Sequence, residues 1–122
     1  MGAVATATAA EPPGFNVLLL GDTYFGESYH DRLASEGRDP VLRTRGREYF
    51  IANFTEILAS ADYTVMNLET PATDRFPSPY ADQKDYLHYA DPDATPRMLA
   101  RYGVDLASLG NNHAFDYGRA WP

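Results

Sequence analysis

Three short apolar runs divide the chain into segments that alternate between strand and helix patterns. The runs cover residues 15–20, 63–68 and 104–109, and each is short enough to be a strand. The first run is continuously apolar, which predicts a strand covered on both faces, as in the centre of a parallel sheet. We therefore expect the three runs to be parallel neighbours in one sheet.

Helical patterns separate the predicted strands. Five apolar residues between positions 47 and 60 recur at helical spacing, and they are Phe50, Ile51, Phe54, Ile57 and Leu58. A second helix is predicted over residues 92–102, because Asp-Pro and Thr-Pro pairs resemble helix starts and Gly103 ends the pattern. The alternation of strand and helix patterns predicts an α/β fold with a mainly parallel sheet.

The remaining segments carry weaker patterns. Residues 23–47 are polar and rich in glycine, which predicts a long loop with one short helix around residues 29–35. Residues 86–89 are predicted to form a short strand in which His88 is a packed or exposed structural histidine. A last helix is expected to begin near residues 115–117.

Polar side chains follow each predicted strand at its carboxyl end. Asp22 follows the first strand, Glu69 the second, and Asn112 with His113 the third. Because the carboxyl ends of parallel strands meet at one edge, where open α/β sheets bind ligands, we expect these four residues to share a pocket. The alternative is that each polar residue caps a turn or helix, with Asn111 or Asn112 as the N-cap of the next helix.

Composition narrows the chemistry that this edge can carry. The chain of 122 residues is one domain at most, and its net charge of −7 without a basic cluster argues against nucleic-acid binding. There is no cysteine, so any metal must be bound by oxygen and imidazole ligands. Residues 1–14 lack the basic and apolar segments of a signal peptide and are predicted to be a disordered leader. With no run long enough to span a membrane, the sequence predicts a cytoplasmic chain.

Three motifs lie at the ends of the predicted strands. They are Gly21-Asp22, the stretch Asn-Leu-Glu-Thr-Pro at residues 67–71, and Gly-Val-Asp at 103–105 running into Ser-Leu-Gly-Asn-Asn-His-Ala-Phe-Asp-Tyr-Gly at 108–118. In order and rough spacing they resemble the CapA-type poly-γ-glutamate capsule synthesis proteins. The resemblance implies the front part of a calcineurin-like metallophosphoesterase fold, so that residues 15–122 are expected to be the N-terminal part of a truncated domain.

The resemblance also implies a two-metal site. It makes Asp22 a first metal ligand, Glu69 a candidate bridging ligand and Asn112 a ligand of the second metal. His113 becomes the catalytic proton donor or transition-state stabiliser beside the substrate oxyanion. The implied cofactors are divalent ions, namely Mn, Mg, Fe or Zn, which can polarise a phosphoryl or carbonyl group and activate a bound water.

Three further residues are expected to support the site. Asn67 is interpreted as orienting Glu69 by a hydrogen bond, which ligating carboxylates generally need. Asn111 and Asp116 are interpreted either as similar supports or as caps, and the sequence does not separate these two roles.

Two functions follow from the resemblance. The first is a metal-dependent hydrolase or transferase that acts on a small phosphoester or on a γ-glutamyl polymer. The second is a non-catalytic scaffold or binding component of a capsule polymer synthesis complex. Since the three implied ligands are too few for two metals, the chain alone is expected to bind metal weakly and to be inactive.

Overall fold

Three parallel strands form one sheet within residues 14–118, the part of the chain that this computed structural model describes. Strand β1 is Val17–Thr23, β2 is Tyr63–Leu68 and β3 is Leu106–Ser108. The order is β1-β2-β3, and both neighbouring pairs are parallel. The mixed α/β fold and the parallel arrangement of the three predicted strands are therefore confirmed.

The strand ends differ from the prediction at β1 and β3. Strand β1 continues to Thr23, so that Asp22 lies inside the strand and not after it. The continuation is possible because the ladder resumes after a register shift between Leu19 and Asp22, and the backbone N–H of Glu69 donates to Thr23 O at 2.9 Å. Strand β3 begins later than predicted, because the backbone N–H of Val104 donates to the carbonyl of Leu99 in the preceding helix and so is not available for the sheet.

Five α-helices lie in the described part of the chain: α1 Glu27–Ser35, α2 Val41–Arg45, α3 Glu48–Ile51, α4 Thr55–Ala59 and α5 Ala94–Arg101. Helices α1 and α5 agree with the prediction, whereas α2 lies in the segment that was expected to be a loop. The single helix predicted over residues 47–60 is interrupted by a 3-10 turn at Ala52–Phe54. Asn and Thr at positions 53 and 55 have weak helix propensity, which favours this tightening.

Two predicted elements near the site are not formed within the described residues. Residues 86–89 are not a strand, and the backbone N–H of His88 donates instead to the Asp116 side chain. Residues 115–117 lie in turns that follow Asn111, whose side-chain oxygen accepts from His113 N. The predicted leader, apart from Gly14, falls outside the described residues, as do residues 119–122.

The core lies on one face of the sheet. Thr64, Met66 and Leu68 of β2 point into it and meet α4 and α5 through Leu58 and Leu99, all of them buried. None of the described helices has the length and apolar character needed to cross a membrane.

Between residues 14 and 118, no helix covers the opposite face of the sheet. Val17 is 50% exposed, Leu19 73% and Leu106 44%, and the register aligns Leu19 with Val65 and Val65 with Leu106. The expectation that the first strand is covered on both faces is therefore wrong for the described residues. A continuous apolar run shows that both faces of the strand could be buried, but the described helices cover only one face.

Candidate functional site

A string of side-chain hydrogen bonds joins the carboxyl ends of the three strands. Asn67 Nδ2 donates to Asp22 Oδ1 at 2.6 Å, and Asn111 Nδ2 donates to Asn67 Oδ1 at 3.1 Å. Asn111 Nδ2 also donates to the carbonyl of Leu68 at 2.9 Å, and its Oδ1 accepts from His113 N at 3.0 Å. The register of the sheet, which pairs Asp22 with Asn67 and Asn67 with Ser108, brings these groups together.

Asp116 forms a second, buried part of the same edge. Its side chain is fully buried, and its Oδ2 accepts from His113 Nδ1 and from His88 N, each at 2.7 Å. Its Oδ1 forms an ion pair with Lys84. Burial acts to raise the pKa of Asp116, but the hydrogen bonds from Lys84, His88 and His113 outweigh burial and lower that pKa. Asp116 is therefore ionised at neutral pH.

Three flat side chains stack beside this carboxylate. The rings of Tyr24 and His88 are 4.0 Å apart, and those of His88 and His113 are 3.8 Å apart, with interplanar angles of 6° and 9°. His88 Nδ1 lies 3.2 Å from the carbonyl of Glu69. Burial lowers the pKa of His88 and outweighs the opposing hydrogen bond with the Glu69 carbonyl, so the His88 ring is mostly neutral at pH 7. A neutral ring packs against His113 without charge repulsion.

The predicted ligands Glu69 and Asn112 are placed mainly by their backbones. The Glu69 carbonyl faces His88, and its N–H extends the ladder of β1 and β2. Asn112 is exposed, and its carbonyl oxygen lies 3.5 Å from Lys84 Nζ. Asn67, which was interpreted as orienting Glu69, donates instead to Asp22 because the register places these two side chains side by side.

One cavity opens at the His113 end of the site. Its volume is about 370 Å³, and it is lined by Lys84, Asp85, Tyr86, His88, Asn112 and His113. His113 and Asn112 thus share a cavity, whereas Asp22 reaches it only through the string of Asn67 and Asn111. Glu69 does not line this cavity.

The donor set does not by itself complete a metal site. Within residues 14–118, no three side chains of His, Asp or Glu stand close enough together to hold a metal ion. The carboxylate of Asp22 is exposed and directs one oxygen to Asn67, so part of its coordination capacity remains toward solvent. The described residues can contribute ligands, but they do not form a closed coordination sphere.

Sequence reasoning missed Lys84 and the stacking role of His88. Lys84 lies in a segment with no helix or strand pattern, and its partner Asp116 is 32 residues away. Lys84 is the single lysine of the chain, but that alone indicates neither a buried partner nor a role in the site.

The chain is similar to bacterial capsule proteins. The family model described as "Bacterial capsule synthesis protein PGA_cap" matches residues 16–120, which include all three motifs. A curated protein, capsule biosynthesis protein CapA of Bacillus anthracis, is 22% identical over 116 residues, covering 95% of this chain. This chain spans 26% of that relative, about a quarter of its length. No solved structure gives a significant match.

Proposed function

The chain belongs to the bacterial capsule synthesis protein family, and from this premise we propose that the polar edge of its sheet acts on the capsule polymer or its precursor. The proposed activity is that of a metallophosphatase-like hydrolase or transferase, with a phosphoester or a γ-glutamyl amide as substrate. The observation that carries the proposal is the hydrogen bond from His113, at a cavity, to the fully buried Asp116.

This pair of residues prepares His113 for proton transfer. Since a carboxylate only accepts hydrogen bonds, the proton of a neutral His113 ring sits on Nδ1, and Nε2 is left for a substrate. The stacked ring of His88 and the bond from His113 N to Asn111 hold the imidazole in one orientation. A fixed imidazole backed by a buried carboxylate can donate or accept a proton at Nε2.

We further propose that Asp22, Glu69 and Asn112 contribute to a divalent-metal site and do not complete one alone. Carboxylate and amide oxygens suit Mn²⁺, Mg²⁺, Fe or Zn, and such an ion would polarise the bond that is cleaved. The hydrogen bonds from Asn67 to Asp22 and from Asn111 to Asn67 would hold the Asp22 carboxylate in a fixed position relative to His113. Further ligands would have to come from outside the described residues.

Capsule production in cells tests this function. In a host whose own copy of the gene is deleted, His113→Ala is expected to abolish polymer because it removes the imidazole. Asp116→Asn is expected to reduce polymer because it weakens the interaction that orients the imidazole. Phe115→Ala is the matched control, since Phe115 lies between the two residues and is 56% exposed. Western blots are the control that each variant is present at the wild-type protein level. Normal polymer with His113→Ala at normal protein levels would refute the catalytic proposal.

A second candidate is a non-catalytic component of the polymer synthesis complex. The open sheet face supports it, because the exposed side chains of Val17, Leu19 and Leu106 form an apolar surface of the kind that contacts other protein surfaces. For this candidate, Leu19→Lys should abolish polymer while His113→Ala does not. The same substitution should reduce self-association of the isolated chain in sedimentation experiments, which the exposed face is expected to cause.

A further inference from the structure

A second cavity, separate from the one at His113, opens beside helix α1. Its volume is about 600 Å³, and it lies between α1, α2 and the loops around residues 73–76 and 89–92. It shares no lining residue with the cavity at His113. The proposed capsule function makes no use of it.

The charged side chains that line this cavity have a net negative charge. Its lining contains two guanidinium groups, of Arg43 and Arg47, and four carboxylates, those of Glu27, Asp31, Asp74 and Asp91. Arg43 forms an ion pair with Asp31. Arg47 Nε donates to Glu27 Oε1 at 3.2 Å, and Arg47 Nη2 lies 3.8 Å from Asp91 Oδ2. Because the carboxylates outnumber the guanidinium groups two to one, the cavity favours a cation over an anion.

Two buried acceptors in the lining lack hydrogen-bond partners among the described residues. Glu27 is 3% exposed and its Oε2 is unpaired, and His30 is 6% exposed with Nδ1 unpaired. Nδ1 of His30 is an acceptor in the neutral tautomer that carries its proton on Nε2. The two residues are three positions apart on α1 and so lie on the same face of the helix. A buried polar atom without a partner is costly, and a ligand that donates to both would remove that cost.

Burial also bears on the ionisation of Glu27. It raises the pKa of this carboxyl group, and the Arg47 guanidinium opposes that rise. A second cation near Oε2 would oppose it further, because a nearby positive charge favours the ionised form. Cation binding and ionisation of Glu27 should therefore reinforce each other.

An aromatic wall completes the cavity. The rings of Phe76 and Tyr89 both line it and meet edge to face, 4.8 Å apart at 88°. Tyr89 donates its hydroxyl hydrogen to Asp31, and burial together with that carboxylate raises the Tyr89 pKa, so the ring stays neutral. Aromatic faces next to carboxylates are a typical environment for an organic ammonium group.

We propose that this cavity binds a small organic amine through a primary ammonium group that donates to Glu27 Oε2 and His30 Nδ1, with its apolar body against Phe76 and Tyr89. An ammonium group has three donors and no acceptor, which matches two unpaired acceptors. This proposal stands apart from the proposed capsule function, and its test needs no capsule assay.

Three probes of similar size, each with one phenyl ring, and of different charge test the ligand class. Benzylamine is cationic at neutral pH, benzyl alcohol is neutral, and benzoate is anionic. In ¹H–¹⁵N correlation spectra of the full chain, benzylamine should shift the signals of Glu27, His30 and Phe76 saturably. It should bind at least about tenfold more tightly than either other probe, the factor expected for one hydrogen bond to a charged group. Equal or tighter binding of benzyl alcohol or benzoate, or no saturable binding of benzylamine, would overturn the proposal.

Two variants test the assigned residues. Glu27→Gln should weaken benzylamine binding at least about tenfold, because it removes the charged acceptor. Glu56→Gln is the matched control, since it makes the same change on exposed α4 outside the cavity and should leave the affinity unchanged. If Glu27→Gln does not fold, Asp74→Asn is the test variant, because Asp74 is an exposed residue of the lining. It should weaken benzylamine binding about threefold, because it reduces the negative charge of the cavity. Unchanged affinity in the folded variant would contradict the proposal.

Discussion

The two ends of the candidate site are held in different ways. At one end the Asp116 carboxylate is fully buried and bonded to Lys84, His88 and His113. At the other end the Asp22 carboxylate is exposed and bonded to Asn67. The buried end is therefore fixed by this chain's own contacts, whereas the exposed end keeps capacity for a ligand. Under the proposed function, the first end holds the imidazole that needs a fixed orientation, and the second end holds the carboxylate that would bind an ion.

Alanine substitution at the two carboxylates should show the largest contrast. Asp116→Ala is expected to lower the free energy of unfolding by about 3 kcal/mol, because it leaves a buried N–H and a cation without their acceptor. Asp22→Ala should lower it by less than about 1 kcal/mol, as for an exposed polar pair. Urea unfolding followed by circular dichroism measures both. Equal losses would show that the two ends do not differ in this way.

Acid should weaken the buried end in a way that identifies Asp116. Its pKa is lowered in the folded chain, so its contribution to stability is fully present above the unfolded-state pKa of about 3.9. That contribution is lost as the pH falls through the lower folded-state pKa. The difference in unfolding free energy between the wild type and Asp116→Asn should therefore shrink below about pH 4. A difference that stays constant to pH 2 would contradict the assigned interactions.

The strands that bear the site were predictable because their signal is local. For β2, a run of apolar and β-branched residues flanked by turn residues gave both ends, Tyr63 and Leu68. The end of β1 was not predictable, because the ladder through Asp22 exists only where the backbone of β2 lies beside it. Which face of the sheet is covered was likewise hidden, since an apolar run does not say how many helices will pack on it.

The contacts of Asp116 show where sequence reasoning stops within the site. The sequence shows that Asp116 is three residues after His113, but this spacing fits both a residue that supports the site and a residue that caps a turn. The contacts of Asp116 with Lys84 and with His88 N, which are 32 and 28 residues away, identify it as a support. Those contacts depend on the path of a loop without regular secondary structure, and no periodicity in the sequence encodes that path.

Metal binding should be a weak property of the exposed end. Calorimetric titration with Mn²⁺ is expected to give a dissociation constant of roughly 1 mM or weaker, because few ligands converge within this chain. Asp22→Asn should remove the binding, and Asp39→Asn, at an exposed position in the loop before α2, should leave it unchanged. Micromolar or tighter binding, with phosphodiester turnover that His113→Ala abolishes, would show that the chain alone is a complete enzyme.

The orientation of the His113 ring tests the central claim most directly. Long-range ¹H–¹⁵N spectra distinguish a neutral imidazole protonated at Nδ1 from one protonated at Nε2. At a pH where the ring is neutral, His113 is expected to be protonated at Nδ1 in the wild type, because Asp116 accepts from that atom. In Asp116→Asn this preference should weaken. A neutral His113 protonated mainly at Nε2 in the wild type would contradict the account, since no nitrogen would then be left to accept a proton at the cavity.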